Sequence, residues 1–372
     1  MAAADQSPAA LGVGIIGCGN ISPTYLSHLS RFKMLRGVAT ADIIHSRAEA
    51  SAAMYGLQAL SVDALLARPD IDLVINLTPP LVHAEICHRA LAAGKHVHTE
   101  KPLATDRADG LKTLALAAER GLRVGAAPDT FLGAGSQTCR ALIDNGAIGQ
   151  PLAATAFMLS RGPEPWHPDP EFLYKPGGGP LLDIGPYYIT TFVNLLGPVA
   201  RVSAGARASF PERVVGSGPK QGQRIVVETP THISGTLEFE SGVIATLITS
   251  FDVSSHRLPP IEIYGSEGSI AVPDPNTFGG PVLLHGRADD DWRSMPLTHG
   301  YDDNSRGLGA ADMAVGIQNG RPHRASGALG AHVLDVMLSL LESAASGQRL
   351  TIASRVDRPA AMAPGLKDGE ID

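Results

Sequence analysis

The segment Leu11-Gly-Val-Gly-Ile-Ile-Gly-Cys-Gly-Asn-Ile-Ser22 joins an apolar run to a glycine-rich turn near the start of the chain. The run Leu11–Ile16 predicts a buried β-strand, and the residues after Ser22 can form a helix. Gly17 permits a tight turn, Gly19 lets a ligand approach the backbone, and a small residue at 22 lets the helix pack on the strand. The N–H groups at such a helix start favour phosphate. Because glycine-rich turns are common, the motif needs support from its surroundings.

That support comes from Asp42, twenty residues after Ser22 at the end of a second predicted strand. A carboxylate at this place can accept hydrogen bonds from both hydroxyls of a ribose, and it would repel the 2′-phosphate of NADP. We therefore predict a dinucleotide site that includes Gly17, Gly19, Asn20, Ile21 and Asp42, with NAD as cofactor. NADP stays open because Ser46 and Arg47 follow shortly after and could bind a phosphate. A solvated strand end is the plainer alternative for Asp42.

The rest of the first third alternates short apolar runs with longer helical stretches, a pattern that predicts βαβ units and a parallel sheet. We expect a doubly wound Rossmann domain over residues 1–127. The predicted strands are Leu11–Ile16, Val38–Asp42, Leu73–Thr78, His96–Thr99 and Arg123–Ala126. The predicted helices are Ser22–Ser30, Arg47–Tyr55, Val82–Ala93 and Arg107–Glu119.

After residue 127 the pattern changes to strands at hairpin spacing with a few helices. It predicts an α+β domain over residues 128–354 with a large, mainly antiparallel open sheet, followed by a loose tail over residues 355–372. The Pro/Gly-rich segment Gly162–Pro180 is expected to be a functional loop. Predicted helices are Ala134–Asp144, Asp183–Leu196 and Ala325–Ser346, and predicted strands are Leu152–Ser160, Ile225–Glu228, His232–Glu240, Val243–Phe251, Ile261–Tyr264 and Ser269–Val272.

Composition excludes several classes of protein. The net charge of −7 and the absence of any Lys/Arg run argue against nucleic acid as a partner. Three widely separated cysteines fit neither a disulfide framework nor a metal site, and no ligand-like His/Cys/Asp/Glu spacing occurs, so no metal is expected. The chain shows no signal peptide and no run of 18 apolar residues. We expect a cytoplasmic protein that does not cross a membrane.

Two further motifs follow predicted parallel strands. Leu77-Thr78-Pro79-Pro80, with His83, follows one strand, and Glu100-Lys101-Pro102 follows the next. Ligands of doubly wound sheets bind at the carboxyl ends of strands, where both motifs lie. Next to an oxidised nicotinamide ring, the ammonium form of Lys101 would be disfavoured, and the side chain could take part in proton transfer. A single exposed lysine without a role is the alternative.

In order and spacing, these motifs resemble the Gfo/Idh/MocA oxidoreductase family, together with Gly94-Lys-His-Val97 and Gly177-Gly-Gly-Pro-Leu-Leu-Asp183-Ile-Gly185. The resemblance covers about residues 11 to 350. It implies a Rossmann domain that binds NAD(P), a second domain whose open sheet forms a homodimer or homotetramer, and a sugar or polyol substrate.

By position, the resemblance implies that Lys101 is the active-site lysine and Asp183 the aspartate of the substrate domain. It places Thr78, Pro79, Pro80, His83 and Glu100 with Lys101 at the nicotinamide end of the cofactor. For Asp183 there is a second interpretation, as the N-cap of the helix that it precedes.

The chain departs from its family at residue 187, where many members have a histidine four residues after the aspartate. Here the residue is Tyr187, which can accept a substrate proton if a cation acidifies the phenol. We expect Tyr187 to be the proton acceptor or a substrate anchor, with His167 as the competing base and Trp166 as a sugar platform. A core tyrosine is the alternative. Tyr174 and Lys175 are weaker candidates, and His256, Arg257, His323 and Arg324 are expected to have capping or surface roles.

The predicted activity is hydride transfer between NAD(P) and a hydroxyl or carbonyl carbon of a sugar, polyol or sugar derivative. Two alternatives stay open. One is a lyase or glycoside-cleaving enzyme that oxidises its substrate transiently with bound NAD. The other is an NAD(P)-dependent sugar sensor without turnover.

Overall fold

The computed structural model describes residues 9–372, which form two large β-sheets. The first is a six-stranded parallel sheet with the order β3-β2-β1-β4-β5-β6. Its strands are β1 (Leu11–Ile16), β2 (Leu35–Ala41), β3 (Gln58–Leu60), β4 (Leu73–Asn76), β5 (His96–Thr99) and β6 (Val124–Ala126). The predicted parallel sheet is confirmed, and only the three-residue edge strand β3 was missed, because so short a run has no periodicity to detect.

Helices follow most strands of this sheet. They are α1 (Ser22–His28), α2 (His45–Tyr55), α3 (Val62–Leu66), α4 (His83–Ala92) and α5 (Arg107–Glu119). Both faces of the sheet are covered by helices. Successive residues of a strand point to opposite faces, and here they belong to two different clusters of buried apolar residues. Ile15 packs with Tyr25 of α1, whereas Ile16 packs with Ile86 of α4. This is the doubly wound arrangement that buries a parallel sheet on both sides.

The second sheet has nine strands in the order β16-β15-β14-β13-β7-β12-β11-β8-β17, and only β7 and β12 are parallel neighbours. Its strands are β7 (Pro151–Leu159), β8 (Val199–Arg207), β11 (His232–Phe239), β12 (Ile244–Ser250), β13 (Ile261–Gly265), β14 (Gly268–Val272), β15 (Val282–Gly286), β16 (Arg293–Met295) and β17 (Leu350–Thr351). The predicted large, mainly antiparallel sheet is confirmed.

Helices cover one face of the nine-stranded sheet. They are α6 (Ala134–Asp144), α7 (Pro180–Asp183), α8 (Gly185–Leu196) and α10 (Gly327–Ser346), whereas α9 (Leu308–Asn319) packs on β6 of the first sheet. Burial alternates strictly along β11, where Ile233 and Leu237 face the helices and Ser234 and Thr236 lie on the other face, half-buried. The sheet is therefore open on one side.

A separate two-stranded ribbon of β9 (Glu212–Val214) and β10 (Arg224–Val226) lies beside the segment before α7. The expected strand Ile225–Glu228 belongs partly to this ribbon and not to the large sheet. Arg213 of the ribbon pairs with Glu164 at 3.2 Å and also with Asp252. These buried ion pairs hold the Pro/Gly-rich segment against the body of the second domain.

The long helix α10 meets a length and apolarity test for a membrane span, but more than half of its apolar window is buried within the fold. It packs on β8, α5 and α8, so its apolar character is accounted for by contacts with both domains. Just before it, the N–H of Ala126 in β6 donates to the carbonyl of Ala325. The last helices thus join the two sheets.

Residues 355–372 were expected to be loose and are not. Arg324 binds the Asp372 carboxylate at 2.8 Å, and the Tyr301 hydroxyl donates to the Glu370 carbonyl at 2.6 Å. Met362 is buried, and its N–H donates to Gln137 at 2.9 Å. The polar composition of residues 355–372 predicts that they are exposed. Composition does not reveal that a carboxylate of this segment, Asp372, binds the buried Arg324.

We predict that Asp312→Ala strongly destabilises the protein. Asp312 is completely buried and binds Arg321 at 2.8 Å and Arg324 at 2.6 Å. Removing the carboxylate leaves the buried Arg324 guanidinium with the partly exposed Asp372 as its remaining carboxylate partner, a loss on the order of 3–5 kcal/mol in the free energy of unfolding. Urea denaturation measures it. As a control, Glu240→Ala removes the exposed pair with Arg355 and should cost less than about 1 kcal/mol. If the two variants lost equal free energy of unfolding, the buried contacts of Asp312 with Arg321 and Arg324 would not be what stabilises this region.

Candidate active site and dinucleotide site

The turn between β1 and α1 is pressed against the loop that follows β4. Gly17 has a φ of +101°, and a Cβ atom there would lie 2.6 Å from the carbonyl carbon of Leu77. Gly19 is the opposite case, because it is exposed and a Cβ atom there would have no other atom within 4 Å. Ser22 is buried and its hydroxyl donates to the Gly19 carbonyl at 2.8 Å. The turn is therefore closed on the protein side and open on the side that faces solvent.

Asp42 connects this turn to the chain after β2. Its carboxylate accepts a hydrogen bond from the N–H of Cys18 at 2.7 Å and one from the N–H of Ile44 at 2.8 Å. Asn20 is exposed and Ile21 is half-buried at the start of α1, and Arg47 is exposed nearby. The open backbone at Gly19 and the fixed carboxylate fit the phosphates and the ribose of a dinucleotide, respectively.

His83 and Glu100 lie inside the protein and not on the cofactor side. One ring nitrogen of His83 is 2.7 Å from the Pro102 carbonyl and the other is 2.7 Å from the Thr78 carbonyl. Glu100 is buried, accepting from the Tyr25 hydroxyl at 2.8 Å and from the N–H of Lys101 at 3.0 Å. Both side chains hold the loops after β4 and β5 in place. The loop after β4 brings Pro79 and Pro80 to the cavity over Lys101, whereas the Thr78 hydroxyl donates to Asn76 Oδ1 at 2.7 Å.

Lys101 and Asp183 form the central pair of the site. The Lys101 Nζ atom lies 2.8 Å from Asp183 Oδ1 and 2.6 Å from the Asp183 carbonyl oxygen. Burial lowers the pKa of Lys101, but the Asp183 carboxylate, with Tyr187 and Glu100, outweighs it and raises the pKa above its ordinary value. The expectation that the ammonium form is disfavoured does not hold for this arrangement. The N-cap position of α8 is Ile184, and no side chain caps that helix, so Asp183 does not act as its cap.

Tyr187 lies beside this pair. Its ring centroid is 5.4 Å from Lys101 Nζ, and the residue is 5% exposed. Its hydroxyl forms no hydrogen bond within residues 9–372, yet it is not one of the fully buried unpaired polar atoms of that part of the chain. The hydroxyl therefore keeps a small contact with solvent, although Tyr187 is not one of the residues that line the cavity over Lys101. Burial raises the pKa of the phenol, the two nearest cations lower it, and the net direction is upward, so Tyr187 is protonated at neutral pH.

A cavity of about 380 Å³ opens over Lys101 and Asp183. Its walls come from the loop after β4, the Pro/Gly-rich segment and the ribbon of β9 and β10. The lining residues are Pro79, Pro80, Leu81, Lys101, Pro102, Asp169, Glu171, Phe172, Leu173, Lys175, Pro176, Gly177, Gly178, Leu182, Asp183 and Lys220. Mostly apolar walls with a few charged side chains, here Lys101 and Asp183 together with Asp169, Glu171, Lys175 and Lys220, are typical of a small-molecule site.

His167 does not line this cavity. Its ring contacts Trp166 and Phe172 edge to face, and its Nδ1 accepts from the N–H of Asp169 at 3.1 Å. Trp166 is 69% exposed on the outer side of the same segment. Neither residue is brought to Lys101 in this conformation, whereas Lys175 is on the cavity wall and pairs with Glu228 at 2.6 Å.

The remaining sequence candidates have structural roles. Tyr174 is buried beside Arg213, and Arg324 binds Asp312 and Asp372. His323 is bonded to the Val124 carbonyl, and His256 and Arg257 are exposed. Across residues 9–372, no group of three or more His, Cys, Asp or Glu side chains could hold a metal ion.

Sequence analysis missed Arg306 and Tyr25, which lie next to the predicted site residues. Arg306 Cζ is 5.6 Å from the Tyr187 ring centroid, and Tyr25 binds Glu100. No local motif marks either residue. They reach the site only because the loop before α9 and helix α1 pack against the loop after β5.

The comparisons with known proteins agree with this geometry. Residues 11–127 match the family model "Oxidoreductase family, NAD-binding Rossmann fold", and residues 136–271 match the model "GFO/IDH/MocA C-terminal domain". The chain belongs to the Gfo/Idh/MocA family of NAD-binding oxidoreductases. It is therefore an NAD(P)-dependent oxidoreductase by family, as the sequence motifs predicted.

Particular relatives are similar over different parts of the chain. A dTDP-3,4-didehydro-2,6-dideoxy-alpha-D-glucose 3-reductase of Streptomyces violaceoruber is 35% identical over 62% of this chain and 66% of that protein. A 1,5-anhydro-D-fructose reductase of Ensifer adhaerens is 28% identical over 91% of this chain and 98% of that protein. The fold of levoglucosan dehydrogenase in complex with NADH and levoglucosan matches with a TM-score of 0.78 at 22% identity, covering 93% of this chain and all of that one.

We predict that the two glycines of the turn respond oppositely to substitution. Gly19→Ala should keep the wild-type melting temperature, because the added methyl group meets no atom within 4 Å. It should weaken NADH binding by about tenfold or more, because the methyl group occupies the open side of the turn. Gly17→Ala should instead lose about 2 kcal/mol or more of stability through its positive φ and its contact with Leu77.

Thermal denaturation and fluorescence titration with NADH measure the two effects. Gly56→Ala serves as a control, because Gly56 also has a positive φ but has open space around it and lies at the end of α2. Wild-type NADH affinity in Gly19→Ala would show that the cofactor does not approach this turn.

Proposed function

We propose that this protein interconverts a hydroxyl and a carbonyl group of a sugar, polyol or sugar derivative, using Lys101, Asp183 and Tyr187. The observation that carries the proposal is a protonated phenol with a free hydroxyl beside the Lys101–Asp183 pair, at the edge of a dinucleotide-binding sheet. When bound at that edge, the nicotinamide supplies or accepts the hydride.

Lys101 acts through its fixed positive charge. Its raised pKa keeps the ammonium protonated throughout the physiological range, so it is a hydrogen-bond donor and not a base. A substrate oxygen near Nζ would be stabilised as negative charge develops on it. Asp183 fixes the ammonium in position through two contacts and leaves its second carboxylate oxygen available to a sugar hydroxyl.

Tyr187 provides the proton. Since burial keeps the phenol protonated near neutral pH, Tyr187 is ready to donate to a carbonyl oxygen, and it takes the proton back in the reverse direction. The reductase names of two similar proteins support ketone reduction as the direction to assay first. Neither Tyr187 nor His167 is among the residues that line the cavity, but Tyr187 contacts Lys101, whereas the His167 ring contacts Trp166 and Phe172, so His167 is the poorer candidate.

The sugar or polyol class is supported by the names of several relatives, including an inositol 2-dehydrogenase of Rhizobium meliloti. The cavity offers the chemistry that such a ring needs. Lys101 and Asp183 provide a donor and an acceptor for hydroxyl groups, and Phe172, Leu182 and Pro80 provide apolar surface for its C–H faces.

We predict that Lys101→Met and Tyr187→Phe each lower turnover by about a hundredfold or more, the usual loss when an acid–base or oxyanion-stabilising group is removed. NADH affinity should stay within a few fold of wild type, since neither side chain holds the phosphates. Oxidation of NADH in the presence of a panel of keto sugars, and reduction of NAD in the presence of polyols and aldoses, measures turnover.

His167→Gln is the matched control and should keep near-normal turnover. If His167→Gln is inactive and Tyr187→Phe is active, the loop histidine is the acid–base group. If the wild type cleaves glycosides without net change in NADH, the transient-oxidation alternative is correct. Binding of sugars without turnover would support the sensor alternative.

We also propose that NAD is preferred over NADP, supported by the Asp42 carboxylate fixed by the N–H groups of Cys18 and Ile44. Asp42→Asn removes the negative charge and keeps one oxygen acceptor. We predict that the ratio of NADPH to NADH dissociation constants is above one in the wild type and falls about tenfold in Asp42→Asn. Titration of both cofactors into the apo protein measures this ratio. A ratio below one in the wild type would assign NADP and direct attention to Arg47.

A homo-oligomer through the open sheet is a further part of the proposal. The uncovered face combines small polar residues with apolar ones, and Phe157 and Ile248 are neighbours in the β7–β12 register. Such a face is suited to a second copy of the same sheet, as a homodimer or homotetramer. Light scattering tests this, and Ile248→Asp should lower the mass if the face is the interface.

A cytoplasmic location is supported by the three cysteines, all of them free and buried. The net charge of −7 supports small molecules and not nucleic acid as partners.

A further inference from the structure

Two cations approach the ring of Tyr187 from different parts of the chain. Lys101 Nζ lies 5.4 Å from the ring centroid, and Arg306 Cζ lies 5.6 Å from the same centroid. Lys101 follows β5 in the first domain, whereas Arg306 belongs to the loop that leads into α9. Distances of this size are within the range of cation–π contact and of strong charge interaction.

Arg306 is held in place without an ion-pair partner. Its Nη2 donates to Asn276 Oδ1 at 2.8 Å, and its Nη1 is buried and has no hydrogen-bond partner in the described part of the chain. Arg213, by contrast, is neutralised at contact distance by Glu164 and Asp252. The nearest acidic groups to Arg306 are Glu100 and Asp129, which act on it without direct contact.

The two cations differ in how much of their charge reaches the phenol. The Lys101 ammonium is bound directly by Asp183, whose negative charge cancels much of its field at Tyr187. The Arg306 guanidinium has no carboxylate in contact with it among residues 9–372, so its positive charge is the less compensated of the two.

We propose that Arg306 is a positioning residue for Tyr187, whose guanidinium fixes the ring and makes the phenol proton available for exchange with the substrate. This inference rests on the proposed role of Tyr187 in proton transfer.

The charges around Tyr187 show why a second cation is needed. Lys101 and Arg306 favour the phenolate, while Glu100 and Asp183 oppose it, and burial opposes it most strongly. The groups that face Arg306 are Tyr187, Glu100, Tyr25 and Asp129. Without Arg306, the phenol would face two carboxylates and one neutralised ammonium, and its proton would be held too tightly to exchange.

A purely structural role is the competing explanation, in which Arg306 only balances the buried charge of Glu100. Glu100 is ionised, because Lys101 and Arg306 lower its pKa against the opposing effect of burial. Loss of Arg306 would then reduce stability without any change at Tyr187. The test must therefore measure the phenol itself.

The experiment is a spectroscopic titration of tyrosinate in the folded apo protein. The chain has seven tyrosines, so the signal of Tyr187 is obtained as the difference between each protein and its Tyr187→Phe counterpart. In Arg306→Gln we expect the midpoint of Tyr187 to move upward by about one pH unit. Arg306→Lys should bring the midpoint of Tyr187 most of the way back to the wild-type value, since lysine restores the positive charge.

The matched control is Arg123→Gln, which also removes one positive charge from a half-buried arginine that has no ion pair in the described part of the chain. It lies away from the site and should leave the midpoint of Tyr187 unchanged. An unchanged midpoint in Arg306→Gln, or an equal shift in Arg123→Gln, would overturn the proposal, whatever happens to the melting temperatures.

If alkaline unfolding precedes the titration, the pH dependence of kcat/KM supplies the same information. In Arg306→Gln, the limb of the pH profile of kcat/KM that reports Tyr187 should move to higher pH in both reaction directions. The value of kcat should fall about tenfold or more, while the NADH dissociation constant stays unchanged. A fall in stability with an unmoved limb would overturn the proposal. Full activity of Tyr187→Phe would instead refute the proposed acid–base role, and the titration would still report whether Arg306 acts on the phenol.

Discussion

The contact between the Lys101 ammonium and Asp183 links the two domains at the place where ligands of a doubly wound sheet bind. Lys101 follows a strand of the parallel sheet, and Asp183 ends a short helix of the second domain, so neither half of the chain forms this pair alone. The pair is partly buried, and its charges are stabilised by each other and by the surrounding polar groups. Because removal of one partner would leave a desolvated charge, the loop after β5 and the start of α8 must keep a fixed separation.

Glu100 and His83 lie behind the Lys101–Asp183 pair and help to keep its loops at a fixed separation. Glu100 stands next to Lys101 in sequence but turns inward to Tyr25 and to the Lys101 N–H. His83 joins the loop after β4 to the loop after β5 by binding a carbonyl of each. His83 and Glu100, which the sequence resemblance assigned to the cofactor site, thus support the loops after β4 and β5 from inside the protein. Such supporting groups are what keeps a site rigid enough for proton and hydride transfer.

The nine-stranded sheet of the second domain has one face covered by helices and one open face. Its covered face carries α7 and α8 and so presents Asp183 and Tyr187 to the Rossmann domain. Its other face is open, with Phe157 and Ile248 among small polar residues. The Pro/Gly-rich segment between β7 and α7 is held by Arg213 through Glu164, and it closes the cavity from above. The Arg213–Glu164 ion pair therefore helps to hold this wall of the cavity in place.

Much of the fold was determined by the sequence alone, because it depends on local patterns. The strand and turn at 11–22, the alternation up to residue 126, and the hairpin spacing after residue 230 each depend on neighbours along the chain. Lys101 and Asp183 could be named because their motifs are contiguous. Tertiary structure alone decided that Asp183 binds Lys101 and does not cap α8, that His167 lies off the cavity, and that the last residues pack on buried arginines. It also brought Arg306 to Tyr187 across more than a hundred residues of chain. The physical reason is that a charge acts through space, whereas periodicity and turn chemistry act along the chain.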